Sequence, residues 1–470
     1  MYITETERIG AMIEAQAKSG MTMEQIIRLE VDAWQASPVR EEMLTGWRYY
    51  RNEMEVKYVK EDGIQVKNAF VRKIAKQKVD YLLSKPFSIR TKNDAYLELL
   101  NEFVVKELRK TIKMLGTEAV NKGIAWLQVY FSDNRLAFQV IPSEEIVPLW
   151  RDSAHTELDG VIRVYFIDEY SGMQKTRVKH VEYWCVDGVY RYVYSPSGLV
   201  PDVELGAHDS HFTMNGVNYN WERVPFIAWR YNDDELPLIR LLKSPVDDYN
   251  TQKSIMANLL KDIPNFIYVL KNYGGQDLKE FLSDLAEYNA IKCDDGDGGV
   301  DKLQADFDIA AYDTYQQQAR KDIYEFGRGV DTQAVDLGNA SGEALKFRYA
   351  DLDADCNDME TEFADAFNNL AWFADQFFAM SGKGNFADED VDIIFNRDII
   401  IVESEVIDQY NKSTEEGISR KTALANHPWV TDVEEEMRQI ELEQQEKAKQ
   451  QKELFGVVEN TPPDGEGNEE

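Results

Sequence analysis

Apolar residues recur at helical spacing through the first part of this chain, switch to alternation near residue 124, and return to helical spacing near residue 245. In the first part, Met23, Ile26, Ile27, Val31 and Trp34 share one helical side, and Ser37-Pro38 breaks the run. Asn68 to Leu83 predicts another amphipathic helix, with Phe70, Val71, Ile74, Val79, Leu82 and Leu83 on its apolar side and Lys85-Pro86 as its stop. Tyr96 to Lys122 predicts a third, with Gly123 as its C-cap. The alternating region holds short β-branched and aromatic runs at Ile124–Tyr130, Leu136–Ile141, Val161–Phe166, His180–Val186, Val189–Tyr194 and Pro225–Trp229. Turn residues separate them, and Asp187-Gly188 is the clearest hairpin signal. Residues 1 to about 240 therefore read as an α+β body.

The second half has a different rhythm. Val246, Tyr249, Met256, Leu260 and Ile263 predict a helix that starts at Pro245 and ends at Pro264. An α/β insert follows, with strands at Phe266–Leu270, Ala290–Cys293 and Val300–Leu303 and a helix at Gln276–Tyr288. A second helix, Asp306–Phe326, carries Tyr312, Tyr315, Ala319, Ile323 and Phe326 as its stripe. Each helix is roughly 30 Å long, so the two can run out and back as an antiparallel pair with the insert at the far end. Gly327-Arg328-Gly329 closes the pair and Val330–Ser341 is a polar loop without aromatics or lysines. Gly342–Met380 predicts one helix roughly 58 Å long. Its apolar positions are Leu352, Cys356, Met359, Phe363, Phe367, Leu370, Phe373 and Phe377. Its other sides carry Asp351, Asp353, Asp355, Asp358, Glu360, Glu362 and Asp365, read either as a solvated face or as the wall of a lumen. Strand-like runs at Ile393–Phe395 and Ile399–Val402 follow, then helices at Glu405–Glu416, after Ser419, and from Thr431-Asp432 to about Lys452. Val457–Glu470, with Pro462-Pro463 and acids without a base, predicts disorder.

The bulk numbers narrow the class. A chain of 470 residues with 43% hydrophobic content can build real cores. No apolar run approaches the ~18 residues of a membrane span, and Met1–Glu5 lacks a signal-peptide pattern. Three widely spaced cysteines, Cys185, Cys293 and Cys356, exclude a disulfide framework and fit a reducing compartment. The net charge, 52 − 85 = −33, argues against a protein that grips nucleic acid through neutralised phosphates. It fits a self-repelling acidic protein, or one that meets DNA without holding it.

No catalytic or metal constellation emerges. Asp294-Asp295-Gly296-Asp297-Gly298-Gly299 hints at calcium, but counting from Asp295 puts Val300 at position six and Asp306 at position twelve. It reads as a hairpin tip. His208-Asp209-Ser210-His211 lacks a third ligand at a recognisable spacing and reads as a surface loop. There is no phosphate loop and no nucleophile elbow. The cluster Gly46-Trp47-Arg48-Tyr49-Tyr50-Arg51-Asn52-Glu53 either stacks on bases or packs a helix end into the body, and packing is the expectation.

Several segments, in order, resemble the portal proteins of tailed bacteriophages, of the siphophage type found in phages of Gram-positive hosts. Trp47–Glu53 resembles that family's early tyrosine-rich segment. Asn68 to Pro86, through Lys73, Asp80, Tyr81 and Lys85, is similar to its signature helix, with Ser84 where a glycine is usual. Gly123–Tyr130 with Ile141–Pro148 looks like its first hairpin, and Gly417–Leu424 with Pro428 and Asp432–Glu436 like its C-terminal helix pair. The resemblance covers about residues 40 to 450.

It implies an elongated α+β subunit of a dodecameric ring at a capsid vertex, with a wing at 1–243, stem helices at 244–263 and 306–329, a clip at 264–305 and a tunnel loop at 330–341. A spine helix at 342–380, a β return at 381–403, a helical crown at 404–455 and an acidic tail at 456–470 complete it. Double-stranded DNA would pass without sequence specificity. Gln333, Asp336, Asn339 and Ser341 would face it, and Lys253, Lys261, Arg320, Lys321 and Arg328 would give shallow contacts. Gln276, Lys279, Glu280, Asp294 and Asp297 in the clip would dock the terminase large subunit and later a head-completion adaptor. Major capsid and scaffolding proteins are further implied partners, with no cofactor, metal, enzymatic activity or membrane. The expected location is the virion, after assembly in the host cytoplasm. Two alternatives stand beside this reading: another phage ring protein without DNA passage, and an acidic enzyme of unrecognised type.

Overall fold

The computed structural model describes residues 20–57, 63–132, 135–171, 173–262, 267–271, 299–303, 308–333, 342–397, 417–425 and 433–454, with isolated positions between. It is a mixed helix and strand fold in two compact units, one of residues 1–335 with 349–397 and one of 336–348 with 398–470.

The first unit opens with α1 (Met23–Gln35), closed by a reciprocal capping box between Thr22 and Gln25. Ser37 then caps α2 (Pro38–Tyr50), with Pro38 in its first turn. The pair that ends one helix thus starts the next, because proline's missing N–H costs nothing at that position. α3 (Phe70–Leu83) buries the predicted stripe and, unexpectedly, Lys78. β1 (Ser88–Arg90) follows. α4 (Asp94–Leu100) and α5 (Lys106–Lys122) are joined by a π-helical turn at Asn101–Val105, which buries Val104 and Val105. Gly123 ends α5 at φ 85°, where a Cβ would lie 2.0 Å from the Glu235 carbonyl oxygen. Only glycine fits both constraints.

The β region forms two sheets. β2 (Ile124–Ser132) lies between β3 (Arg135–Ile141) and β12 (Phe226–Arg230). The larger sheet runs β4 (Ile146–Trp150), β5 (Leu158–Ser171), β6 (Gln174–Cys185), β7 (Gly188–Ser195) and β8 (Gly198–Pro201), all antiparallel, with β9 (His208–Asp209) also paired to β7. Cys185 pairs with Gly188, so the turn residues are Val186-Asp187 and Gly188 opens β7 at φ 130°. A hairpin not anticipated from the sequence joins β10 (Phe212–Met214) to β11 (Val217–Tyr219). Its Asn215-Gly216 turn has both residues at positive φ, 53° and 79°.

α6 (Ile239–Asp262) begins six residues before Pro245, which lies inside it. Ile239, Leu242, Val246 and Tyr249 are all buried, so the apolar side crosses the proline and holds the helix together despite the lost hydrogen bond. β13 (Ile267–Lys271) and β14 (Gly299–Leu303) fall on two of the strands predicted for the insert, and they pair antiparallel, a pairing the sequence pattern did not specify. α7 (Ile309–Phe326) is capped by Asp308. α8 (Gly342–Met380) buries every apolar position predicted for it, from Leu352 to Phe377, in the main core. β15 (Asp392–Ile394) returns to pair with β1. In the second unit, Ser419 caps α9 (Arg420–Ala425), and α10 (Val433–Leu454) follows.

The predicted helices at 276–288 and 405–416, the strands at 290–293 and 399–402, and the tail lie outside the described residues. Among the described residues no helix is long and apolar enough to cross a membrane.

Candidate functional site

The chemistry-bearing residues of the first unit converge where α6, α7, the start of the polar loop and the long helix α8 meet. The two shorter helices are antiparallel. Tyr315 donates to Asp248 at 2.7 Å, while Gly327, one end further along α7, approaches Leu242, earlier on α6.

An extended segment, Ile64–Asn68, lies along α6 and is held by side chains four residues apart. Asn258 accepts from the Ile64 N–H at 2.8 Å and donates to its carbonyl at 2.9 Å. Ser254 accepts from the Val66 N–H at 2.8 Å. Asn250 accepts from the Asn68 N–H at 2.9 Å. Alternate residues of an extended chain are thus read by one face of a helix, which supplies the hydrogen bonds that a neighbouring strand would otherwise supply.

Below this ladder, Phe70 packs edge-on against Tyr249 and Tyr324, at 4.9 and 5.9 Å between ring centroids. The Arg320 guanidinium stacks over Phe70 and Tyr324 and grips Asp331 with two bonds of 2.6 and 2.7 Å. Burial, the largest single influence, raises the Asp331 carboxyl, but the Arg320 bonds, the Gln333 N–H and the nearby positive charges together hold it below its ordinary range.

At the centre sits Lys78, fully buried. Its ammonium donates to Asp355 of α8 at 2.6 Å and to the Arg328 carbonyl at 3.3 Å. Tyr231 also donates to Asp355, at 2.6 Å. Burial lowers the Lys78 pKa and Asp355 opposes the shift. Beside it, Gln77 donates to the Val330 carbonyl at 2.7 Å and accepts from the Val330 N–H at 3.2 Å.

Asp351, Asp358 and Asp365 of α8 are exposed, while several of its other acids are paired within the subunit. Asp353 and Glu360 bind Arg397, Asp355 binds Lys78, and Glu362 lies 3.4 Å from Arg230. Asp358 lies 3.7 Å from Arg328. The pattern of acids was legible, but their partners come from distant segments and were not.

Among the sequence-predicted positions, Lys261 and Lys321 are exposed, and Lys253 lies over the Tyr249 ring at 5.1 Å. Arg320 and Arg328 have intrachain carboxylate partners. Gln333 is exposed, and its N–H donates to Asp331 at 3.1 Å. Lys279 is exposed. Asp336, Asn339, Ser341, Gln276, Glu280, Asp294 and Asp297 lie outside the described residues. The aromatics of the Trp47–Arg51 cluster pack against the body, as expected, while Arg48 and Arg51 are exposed: Tyr49 is buried and bonded to Asp247, Trp47 stacks on Tyr50, and Lys122 lies over the Trp47 ring. His211 accepts from the Trp221 N–H through Nδ1, which leaves Nε2 to donate to the Cys185 carbonyl at 2.7 Å. Both of its nitrogens are therefore used in the fold. The clearest miss was Lys78, which the helical pattern placed inside an apolar stripe.

Residues 40–450 match the family model described as phage portal protein, SPP1 Gp6-like. A portal protein of Bacillus phage SPP1 is 28% identical, covering 96% of this chain and 93% of that protein. A portal protein of Clostridium phage phiCD119 is 29% identical, covering 84% and 91%. A chain in the neck of a native gene transfer agent particle aligns over 82% of this chain and 92% of its own length, at 12% identity and a TM-score of 0.43, too loose a likeness to argue from. With most of its length inside that family model, the chain belongs to the SPP1 Gp6-like family of phage portal proteins.

Proposed function

We propose that this chain assembles into a closed ring, most simply of twelve copies, at one capsid vertex, and that double-stranded DNA is packaged and later ejected through its channel. The family match over residues 40–450 carries this reading. The helix pair supports it: Leu241 and Leu260 on α6 and Ile309 and Phe326 on α7 are each more than half exposed in the single chain. Apolar side chains on a two-helix element call for a neighbour, and a heterologous contact repeated about an axis closes into a ring.

In this reading residues 1–243 are the wing, 244–263 and 306–329 the stem, 264–305 the clip, 330–341 the tunnel loop and 342–380 the spine. Residues 381–403 return to the wing, 404–455 are the crown and 456–470 an acidic tail. Lys253, Lys261 and Lys321 are the bases left for shallow phosphate contact, since Arg320 and Arg328 are engaged within the subunit. The high negative charge suits a duct that duplex DNA must leave as readily as it enters. The role is mechanical, with nucleotide hydrolysis left to a terminase docked on the clip, which a head-completion adaptor later occupies. Capsid and scaffolding proteins surround the ring in the virion, and assembly takes place in the host cytoplasm.

Electron microscopy and mass measurement of the purified assembly test the ring. Closed rings with a channel wide enough for duplex DNA are the expected result, and a disc without an open channel would sink the proposal. Deleting Gln333–Asn339 should leave the rings intact and impair packaging.

A further inference from the structure

We propose that Lys78, together with Gln77, is a positioning residue for the 330–341 loop, fixing its point of departure by holding Arg328–Asp331 against the long helix. This rests on the reading of that loop as a channel element.

The observations come from three elements. Arg328 is a non-glycine residue at φ 46°, so the chain reverses direction there in a sparsely populated conformation. Its carbonyl is taken by Lys78 at 3.3 Å, and the same ammonium is bound to Asp355 of α8 at 2.6 Å. Gly329 donates its N–H to the Tyr324 carbonyl at 2.8 Å, and a Cβ there would sit tightly, 3.1 Å from both Gln77 Oε1 and Ile74. Val330 has both backbone groups bonded to Gln77. Asp331 is gripped by Arg320 of α7. Four consecutive residues are therefore each anchored, from α3, α7 and, through Lys78, α8.

A buried ion pair is seldom the most stable choice, since apolar residues of similar volume often serve stability as well or better. What Lys78 supplies that an apolar residue cannot is a donor for the carbonyl of a reversed turn. Gln77 complements it by reading both backbone groups of the residue two further on. The chain thus leaves α7 from a fixed point at Arg328–Asp331.

Two variants of the full-length, assembled protein test this. Lys78→Met combined with Asp355→Asn removes the ion pair without stranding a charge and keeps an acceptor for Tyr231. Gln77→Ala removes the amide clamp from a partly buried position and decides the matter if the double variant fails to assemble. Ring mass, backbone amide exchange at residues 328–333, and DNA packaged per capsid are measured for each. The expected result is rings of unchanged mass, at least tenfold faster exchange at Val330, and a severalfold loss of packaged DNA. Unchanged exchange overturns the proposal, and so does faster exchange with full packaging. The channel reading of the loop fails by a different result: normal packaging by a chain lacking Gln333–Asn339.

Discussion

Two helical regions with the same three-and-four apolar spacing are treated differently by this fold. Along α8 every predicted apolar position is buried within the subunit. Along α6 and α7, the buried apolar residues gather at one end of the pair, around Val246, Tyr249, Ile323 and Tyr324, while Leu260 and Ile309 toward the other end are each more than half exposed. Spacing alone marks a helix that will be covered, but not what covers it. The apolar stripe of the long helix from Leu352 to Phe377 is covered by its own chain. The outer part of the pair is left uncovered in the single chain.

The largest break in this comparison comes from the long helix. Phe363→Ala, a fully buried ring in contact with Trp229, should cost about 3–5 kcal/mol in denaturant unfolding of the subunit. Ser254→Ala comes next. It removes the acceptor of the Val66 N–H from the ladder and should cost about 1–3 kcal/mol, with faster amide exchange at Val66 as a local readout.

Asp375 sharpens the comparison through pH. Burial pushes its carboxyl up to about 6, with the Tyr96 hydroxyl working in the opposite direction. A raised carboxyl pKa means that the folded state holds its proton more tightly than the unfolded one. The resulting stability is full below the unfolded value near 4 and is lost as pH rises through about 6. Asp375→Asn should therefore stabilise the subunit at pH 7 by about 1–2 kcal/mol, discounted for partial exposure, and the gain should vanish by pH 4. Unfolding midpoints at the two pH values check this.

The smallest effect on the subunit belongs to the exposed pair. Leu260→Ser should change subunit stability by less than about 0.5 kcal/mol yet weaken ring closure, seen as a shift toward smaller species in mass measurement. A variant that unfolds the subunit instead would erase the contrast drawn above.

What the sequence made legible follows the same division. The α8 stripe was readable because large aromatics repeat at one period for many turns. The β2–β3 and β6–β7 hairpins were readable from alternation around Asp133-Asn134 and Asp187-Gly188. Asn215-Gly216, the stronger hairpin dipeptide, was passed over because its flanking strands are three residues each and show too little alternation to register. Pro245 was taken for a helix start because local propensity cannot see that Ile239 and Leu242 are buried alongside Val246. Lys78 and Asp355 are 277 positions apart, and nothing local to either announces the other. The ladder on α6 was hidden for a related reason: asparagine and serine at four-residue spacing look like an ordinary polar face until an extended chain is laid along it.

That ladder works as a vernier. Four helical residues advance about 6.0 Å, while two extended residues advance about 6.6 Å. Three rungs keep step within roughly 1.2 Å, and a fourth would fall about 1.8 Å out of phase by the same rises. The contact therefore sets its own length and admits one alignment. Moving the strap along the helix by one repeat would leave one of the three rungs without a partner, so the segment leading into α3 is indexed to α6 as a scale is to its slide.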